Sequence, residues 1–430
     1  MKIYLDMVGC RLNQSELEAY ARQFRLAGHS LTSEVESADL IVINTCTVTA
    51  AAASDSRQKI RQSARARSKQ VIVTGCFATL NPQFTSEIPG VSLVVDNREK
   101  ENLVSLALGI PDFKTTQIST QREPIPGARL RTRAFIKVQD GCDNHCTYCI
   151  TRIARGSSRS HSMDTILADI RSALDGGAQE VVLTGVHLGS WGYDFQKPDH
   201  LSQLVRAILS ETDVPRLRLS SLEPWDISPD FFTLWQNPRV CRHLHLPLQS
   251  GCKNTLKRMG RQITPEAYSA LLHQARISIP GVAITTDIIT GFPGETDVEF
   301  YESLSFVKEM DFSGGHVFTY SARLGTAAAL LPDQIPPRIS KQRSARMREV
   351  LMEASCSYQK KFIGTKLQVL WEKAIPIHET HWMLKGLTDN YLRVCTHTPK
   401  AFHNQLMNVA ITGVQDGELL GKITAKQNQD

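Results

Sequence analysis

Arg133-Ala134-Phe135-Ile136-Lys137-Val138-Gln139-Asp140-Gly141-Cys142-Asp143-Asn144-His145-Cys146-Thr147-Tyr148-Cys149 is the stretch that decides how the chain is read. Residues 134–139 form a short apolar run suited to a buried strand, and a loop with three cysteines in a CxxxCxxC pattern follows at once. Buried cysteines normally serve singly as small apolar residues, so three on one loop point to a shared ligand. Three such thiolates can bind three irons of a cubane cluster and leave the fourth iron open for chemistry. Zinc is the competing reading. It suits the spacing less well, because structural zinc usually draws on a second Cys or His pair and closes all four positions. His145 lies between two of the cysteines, where the turn directs it away from a ligand they share, although His is otherwise a common metal ligand.

Beyond this loop the βα alternation continues. Strand-like runs at 180–184, 217–222, 243–248, 284–290 and 317–320 are separated by helical patterns such as 163–174, 201–211, 265–277 and 297–309. Six βα steps predict a partial (β/α)6 barrel of the TIM type, with its chemistry at the carboxyl ends of the strands. A charged helix is expected over 340–361. Upstream, β-branched runs at 3–7, 40–43, 71–73 and 91–95 alternate with amphipathic stretches such as 15–27. They predict a separate flavodoxin-like or Rossmann-like parallel sheet. The polar stretch 110–131, with Pro111, Pro124 and Pro126, reads as a linker. From Gly364 onward, short β-like runs at 367–371, 391–394, 409–412 and 419–423 predict a small OB-like β-barrel, with turn signals at Asp389-Asn390 and Asp416-Gly417. The expected α/β architecture thus divides into an amino-terminal domain over 1–108, a linker over 109–131, a central barrel over 132–362 and a β-barrel over 363–430.

A chain of 430 residues, 41% hydrophobic and 21% charged, is long enough for each unit to bury its own core without disulfides. No run approaches the ~18 apolar residues that suggest a bilayer span, and Met1-Lys2-Ile3-Tyr4-Leu5-Asp6 lacks the pattern of a secretory signal. The expectation is a cytoplasmic protein with no membrane partner. A reducing compartment keeps no structural disulfides, so ten cysteines imply metal or catalysis. The net charge of +6 permits an anionic partner without requiring one.

A second trio of cysteines is scattered in sequence. Cys10 follows the first strand, Cys46 follows Leu40-Ile41-Val42-Ile43-Asn44-Thr45, and Cys76 follows Val71-Ile72-Val73-Thr74-Gly75. All strands of a parallel sheet end on one edge, so these thiols should converge there. The alternative is that each is merely a small buried residue at a strand end. Cys241, Cys252, Cys356 and Cys395 share no spacing and read as structural.

Gly9-Cys10-Arg11-Leu12-Asn13-Gln14-Ser15-Glu16, Asn44-Thr45-Cys46-Thr47-Val48-Thr49 and Thr74-Gly75-Cys76, taken with the CxxxCxxC loop, resemble the signatures of the radical S-adenosylmethionine (SAM) methylthiotransferases. The region from Gly364 resembles that family's RNA-binding TRAM domain. Arg133 to Gly141 and Thr184-Gly185-Val186-His187-Leu188-Gly189 look most like the branch acting on N6-threonylcarbamoyladenosine in tRNA. The isopentenyladenosine branch and the branch that modifies a ribosomal-protein aspartate are the alternatives within this chemistry, and a metal-stabilised RNA-binding module is the alternative without catalysis. Thr151-Arg152 stand where relatives often carry an apolar residue and Pro.

The resemblance implies two [4Fe-4S] clusters. Cys142, Cys146 and Cys149 would hold the one that binds and reductively cleaves SAM to a 5′-deoxyadenosyl radical. Cys10, Cys46 and Cys76 would hold an auxiliary cluster that carries the sulfur, which a second SAM methylates. C2 of adenine is an unactivated C–H position without a handle for acid/base catalysis, so the cofactor does the hard step while the protein orients and excludes solvent. The small α/β domain would then have to sit over the barrel mouth. Candidate SAM contacts at the strand ends are Thr184, Gly185, Ser221, Glu223, Gln249, Asp287, Gly291 and Glu295, where glycine admits close approach and carboxylates can accept from the ammonium or ribose hydroxyls; the competing reading is that Gly and Pro there only make turns.

The implied partners are the tRNA anticodon stem-loop, modified at position 37, and a reductant such as flavodoxin or ferredoxin; the sulfur source is left open. Arg57, Arg61, Arg65 and Lys69 recur every four residues and would line one helix face along a phosphate backbone, or simply be solvated. Arg338, Lys341, Arg343, Arg346 and Arg348 form a second basic cluster, and Trp371, Trp382 and Tyr391 are either RNA-stacking or core aromatics.

Overall fold

The computed structural model describes residues 1–65, 70–110, 123, 125, 132–378 and 380–424. Lys69 and most of the expected linker lie outside the described residues. Strands β1 (Lys2–Met7), β2 (Ser30–Thr32), β3 (Leu40–Thr45), β4 (Gln70–Gly75) and β5 (Val91–Val95) form one parallel sheet in the order β2-β1-β3-β4-β5. Every residue of β3 is buried, which its unbroken apolar run anticipates for a strand covered on both faces. Helix α1 (Arg11–Leu26) packs Leu17, Tyr20 and Phe24 on one face, and α2 (Ala50–Ala64) packs Ala53 and Ile60 on the other. The edge strand β2 adds to the four strands expected; three residues, Ser30-Leu31-Thr32, are too few to register as a periodic run. Strand order reverses between β1 and β3, the switch point where open α/β sheets place their ligands.

The central unit begins with β6 (Arg133–Lys137). The short antiparallel pair β7 (Gln139–Asp140) and β8 (Arg159–Ser160) follows and closes the base of the cysteine loop. Then come β9 (Glu180–Thr184), β10 (Leu217–Leu219), β11 (His243–His245), β12 (Ala283–Thr290) and β13 (Gly314–Thr319). Apart from the β7–β8 pair, these strands pair in parallel as β10-β9-β6 and β11-β12-β13, and bridges Leu217–Val240 and Ser221–His245 join the two sheets into an open six-stranded barrel. Its helices start where capping chemistry dictates: the Thr296 hydroxyl accepts from the Glu299 N–H while the Glu299 carboxylate accepts from the Thr296 N–H.

Strands β14 (Lys366–His378), β15 (His381–Thr388), β16 (Arg393–Thr398), β17 (Leu406–Gln415) and β18 (Glu418–Ile423) close the small barrel in the order β14-β15-β16-β18-β17. Strand β15 is not among the expected runs, because Lys385 and Gly386 interrupt its apolar residues and blur its alternation. The three aromatics open to an RNA-stacking reading are engaged in packing. Trp371 is wholly buried in the barrel core and Trp382 packs against that core. Tyr391 stacks on His243 at 4.3 Å and accepts from Arg11 Nη2 at 2.5 Å.

Arg343 also departs from the basic-cluster reading: it is buried, paired with Glu295 and Asp297 at 2.7 Å each. It pins the long helix Pro337–Lys360 to the turn after β12. The small barrel docks through Arg216, Arg218 and Arg242, which reach from the central unit to the Leu387, Thr388 and Asp389 segment.

Candidate active site

The amino-terminal cysteines occupy the carboxyl ends of β1, β3 and β4 around the switch point. Cys10 caps α1, Cys46 follows β3, and Cys76 opens α3 (Cys76–Leu80). Gly9, at φ +115°, makes room for this: a Cβ there would lie 2.5 Å from Cys46 Cβ and 2.9 Å from its Sγ. Gly75, at φ +94°, plays the same part beside Thr45. Ser56 clamps Cys46 by accepting from its N–H at 3.0 Å and donating to its carbonyl at 2.8 Å.

Cys46 and Cys76 are buried, whereas Cys10 is exposed to solvent. Desolvation pushes the Cys46 thiol up to about 11 and raises Cys10, and mutual repulsion among the three thiolates adds to it. Arg155 opposes that rise at both positions.

The CxxxCxxC loop leaves β7 through Gly141, at φ +71°, where a Cβ would fall 1.9 Å from the Ser157 carbonyl oxygen. The Cys142 N–H donates to Gly156 O at 3.0 Å, Thr147 N–H to Met259 O at 3.0 Å, and Ala328 N–H to Thr147 O at 2.9 Å. Cations approach two of the thiols. Arg261 Nη1 lies 4.0 Å from Cys146 Sγ while Nη2 pairs with Glu223 at 2.8 Å. His187 lies beside Cys142 and bonds Asp226 at 2.6 Å; burial would lower its pKa, but Asp226 and Cys142 outweigh burial and hold it at about 10. His145 is exposed and accepts no bond from the cysteine thiols among the described contacts.

The expected SAM contacts are distributed around the same barrel end. The Gln139 side chain, which accepts from the His187 N–H, fills the space over Gly185, and Thr184 is buried with its hydroxyl toward Val182 O at 3.3 Å. Gln249 adopts φ +72° and joins β12 by donating its N–H to Asp287 O and accepting from the Ile289 N–H. Asp287 meets His245 at 3.3 Å through one oxygen, and its other oxygen is buried without a partner among the described residues. Glu223 is drawn to Arg261, and Ser221 pairs with His245 across the strands. Glu295 is committed to structure, accepting from the Gly291 N–H at 3.1 Å and pairing with Arg343.

Arg57 and Arg61 lie on α2 and Arg65 at its end, together lining a shallow groove with Ser54, Gln58 and Gln62.

Family models match at two places: "Uncharacterized protein family UPF0004" over residues 2–96, and the radical SAM superfamily over residues 136–307. The threonylcarbamoyladenosine tRNA methylthiotransferase MtaB of Bacillus subtilis is 37% identical over 406 residues, 90% of this chain and 88% of that protein. The chain belongs to the radical SAM methylthiotransferases. The tRNA-2-methylthio-N(6)-dimethylallyladenosine synthase of Fusobacterium nucleatum is 32% identical and spans 96% of this chain and 98% of its own length. Among solved structures, the radical SAM methyltransferase TsrM of Kitasatospora setae superposes with a TM-score of 0.58 over 76% of this chain and 75% of its own, at 16% identity, a likeness of fold.

As a radical SAM methylthiotransferase the chain is a sulfur-transferring enzyme whose cofactors are SAM and [4Fe-4S] clusters. The residues present suit both. Each cysteine trio offers soft thiolate donors beside a cation, and the barrel mouth holds buried polar atoms without partners among the described residues, including Asp287 Oδ1, Thr290 Oγ1 and Ser220 Oγ. Among the described residues, no three His, Cys, Asp or Glu side chains converge as they would on a single metal ion, and no helix is long and apolar enough to cross a membrane.

Sequence reasoning missed the residues between the two trios. Asn13, Glu16, Asn97, Lys100, Asp140 and Arg155 are all buried, and Arg323 presents Nε and Nη2, without hydrogen-bond partners among the described residues, in electrostatic reach of Cys46. Asn13 and Glu16 stand within the motif around Cys10, yet nothing in their spacing distinguishes a neighbour of the ligands from an ordinary helix residue.

Proposed function

We propose that this chain methylthiolates tRNA, converting N6-threonylcarbamoyladenosine beside the anticodon to its 2-methylthio derivative. The observation that carries this reading is the 37% identity to an enzyme of that name across nine-tenths of the chain. In this reading Cys142, Cys146 and Cys149 hold one cluster and Cys10, Cys46 and Cys76 the other. The SAM-binding cluster supplies the radical chemistry that opens an unactivated adenine C–H bond, and the protein residues supply everything around it.

Arg261 and His187 place positive charge against the Cys146 and Cys142 thiolates. Asp226 fixes the His187 ring, and Gln139 fixes its backbone by accepting from the His187 N–H at 2.9 Å. Asp287 Oδ1 and Thr290 Oγ1 are open acceptors for the polar groups of SAM at the strand ends. Arg57, Arg61 and Arg65 supply a basic groove on the amino-terminal domain for the phosphates of an anticodon stem-loop, and the carboxyl-terminal barrel supplies a second grip.

A second reading, sulfur insertion into the dimethylallyl-modified base, has its own support in the 32% identity to the Fusobacterium enzyme. Mass spectrometry of tRNA nucleosides from cells lacking the gene separates the two. Loss of 2-methylthio-N6-threonylcarbamoyladenosine is expected; its persistence, with loss of the dimethylallyl derivative, transfers the assignment to the second reading.

A further inference from the structure

One segment of the central unit touches both cysteine-bearing regions. Ala154 and Arg155 end the short helix Thr151–Arg155, which starts two residues after Cys149, and their polar groups enter the amino-terminal domain. There two buried asparagines receive them. Asn97 Nδ2 donates to Ala154 O at 2.8 Å and reaches Cys76 Sγ at 3.7 Å. Asn13 Oδ1 accepts from Arg155 Nη2 at 2.9 Å and lies 3.7 Å from Cys10 Sγ. Asn13 is itself held by Val8 O and Thr45 O, at the ends of β1 and β3. Each asparagine is about 1% exposed, so neither contact is shared with bulk water.

The charges are arranged around the same residue. Arg155 Nη1 pairs with Glu16 at 3.0 Å and Asp140 at 2.8 Å, and Lys100 bridges the same carboxylates at 2.5 and 2.7 Å. Lys137 adds a third cation at the edge, where it also meets the exposed Glu101. Two buried carboxylates thus face two buried cations and a half-buried one. Arg155 is the member on the cysteine side: it acts electrostatically on Cys10 and Cys46, and Cys10 and Cys76 act on it. A cluster held by three thiolates is anionic, and its potential follows nearby charge and hydrogen bonding.

We propose that Arg155 is a positioning residue that registers the Cys10–Cys46–Cys76 site against the CxxxCxxC loop and supplies the compensating charge for the anionic group held there. The proposal rests on the assignment of those cysteines to an auxiliary cluster. It gives the register a physical means, since movement of the cysteine loop is transmitted through the helix Thr151–Arg155 to two of the three auxiliary thiols.

The test uses the full chain with both clusters reconstituted, comparing Arg155→Met, Arg155→Lys and Asn97→Ala with wild type. Redox titration followed by electron paramagnetic resonance reads each cluster separately, and product formed per SAM cleaved reads their registration. Arg155→Met should move the auxiliary cluster to a more negative potential, because a nearby positive charge favours the reduced state, and leave the SAM-binding cluster unmoved. Arg155→Lys keeps the charge but loses the fork, so its potential stays near wild type while product per SAM cleaved falls several-fold. Asn97→Ala should lower that ratio in the same way. An unmoved auxiliary potential in Arg155→Met overturns the charge role, and wild-type ratios in both Arg155→Lys and Asn97→Ala overturn the registering role. Should Arg155→Met fail to fold, Arg155→Gln, which keeps hydrogen bonding without the charge, takes its place in the potential measurement with the same expected shift. If replacing Cys10, Cys46 and Cys76 with Ala leaves two clusters per chain, the underlying assignment falls and the inference falls with it.

Discussion

Glu180→Gln tests the joint between the central unit and the small barrel. The Glu180 carboxylate is fully buried and takes Arg218 Nε at 2.6 Å, Arg218 Nη2 at 3.1 Å and Arg216 Nη2 at 2.8 Å. Both arginines continue outward to the barrel, Arg216 to Leu387 O at 3.1 Å and Arg218 to Thr388 O at 3.1 Å and Asp389 O at 2.9 Å. Glutamine keeps the shape but leaves two buried guanidinium groups without their anion and turns an amide donor toward them. Breaking a buried pair of this kind costs about 3–5 kcal/mol. A second route gives a similar size: burial would raise the Glu180 carboxyl, but Arg218 and Arg216 outweigh burial and hold it at about 2 against an ordinary 4.5. At about 1.4 kcal/mol for each pH unit of that separation, the pairing is worth roughly 3 kcal/mol at neutral pH.

The pH dependence follows from the direction. A carboxyl depressed in the folded chain contributes its full stability above the unfolded value and loses it as pH falls toward the folded one. The gap between wild type and Glu180→Gln should therefore be constant above about pH 5 and close progressively between 4.5 and about 2. Hydrogen exchange over β14 to β18, read on the cluster-free chain at several pH values, measures local opening without assuming that the whole chain unfolds in one step. A gap below about 1 kcal/mol at neutral pH, or one that persists unchanged in acid, would refute the reasoning that this carboxylate anchors the arginines.

Three further outcomes are expected. Cys142→Ala should abolish SAM cleavage, whereas Cys46→Ala should retain cleavage and lose the methylthio product; matched iron, sulfide and product assays on the two variants check the division of labour. Gly141→Ala should lower incorporation of the SAM-binding cluster, because the added Cβ meets Ser157 O and φ is +71°, and measured iron per chain equal to wild type would count against this. Replacing Arg57, Arg61 and Arg65 together by Ala should weaken anticodon stem-loop binding and flatten its salt dependence, by about 0.7–0.9 in the log–log slope for each phosphate no longer neutralised. An unchanged slope would assign that face to solvent.

Periodicity and strand ends made the architecture legible. The buried run of β3 and the apolar run before Cys142 are local signals that tertiary packing did not override. The short or broken strands, β2 and β15, lacked enough residues of clear period. Cysteine positions were legible for the same reason, since chemistry at the end of a strand leaves a mark in sequence. Arg343 resisted reading, and Trp371 stood open between two roles, for one shared cause. Charge and aromaticity describe a side chain's options, while its partner, here Glu295 for one and the barrel interior for the other, comes from chain far away. Arg155 was illegible on the same ground, because its partners Glu16 and Asn13 lie 139 and 142 residues earlier.

Those long-range contacts tie the two halves of the site together. The open barrel leaves β6 as an edge strand, and an uncovered edge exposes unpaired backbone groups. Helix α1 lies against it, and the Ser15 hydroxyl accepts from the Lys137 N–H at 3.1 Å. The same helix begins at Cys10 and carries Asn13 and Glu16 on its first turns. Covering the barrel edge, orienting Cys10 and delivering a carboxylate to Arg155 are thus consequences of one placement. A shift of α1 along β6 would move all three together, so selection on the edge contact is also selection on the geometry of the Cys10, Cys46 and Cys76 site.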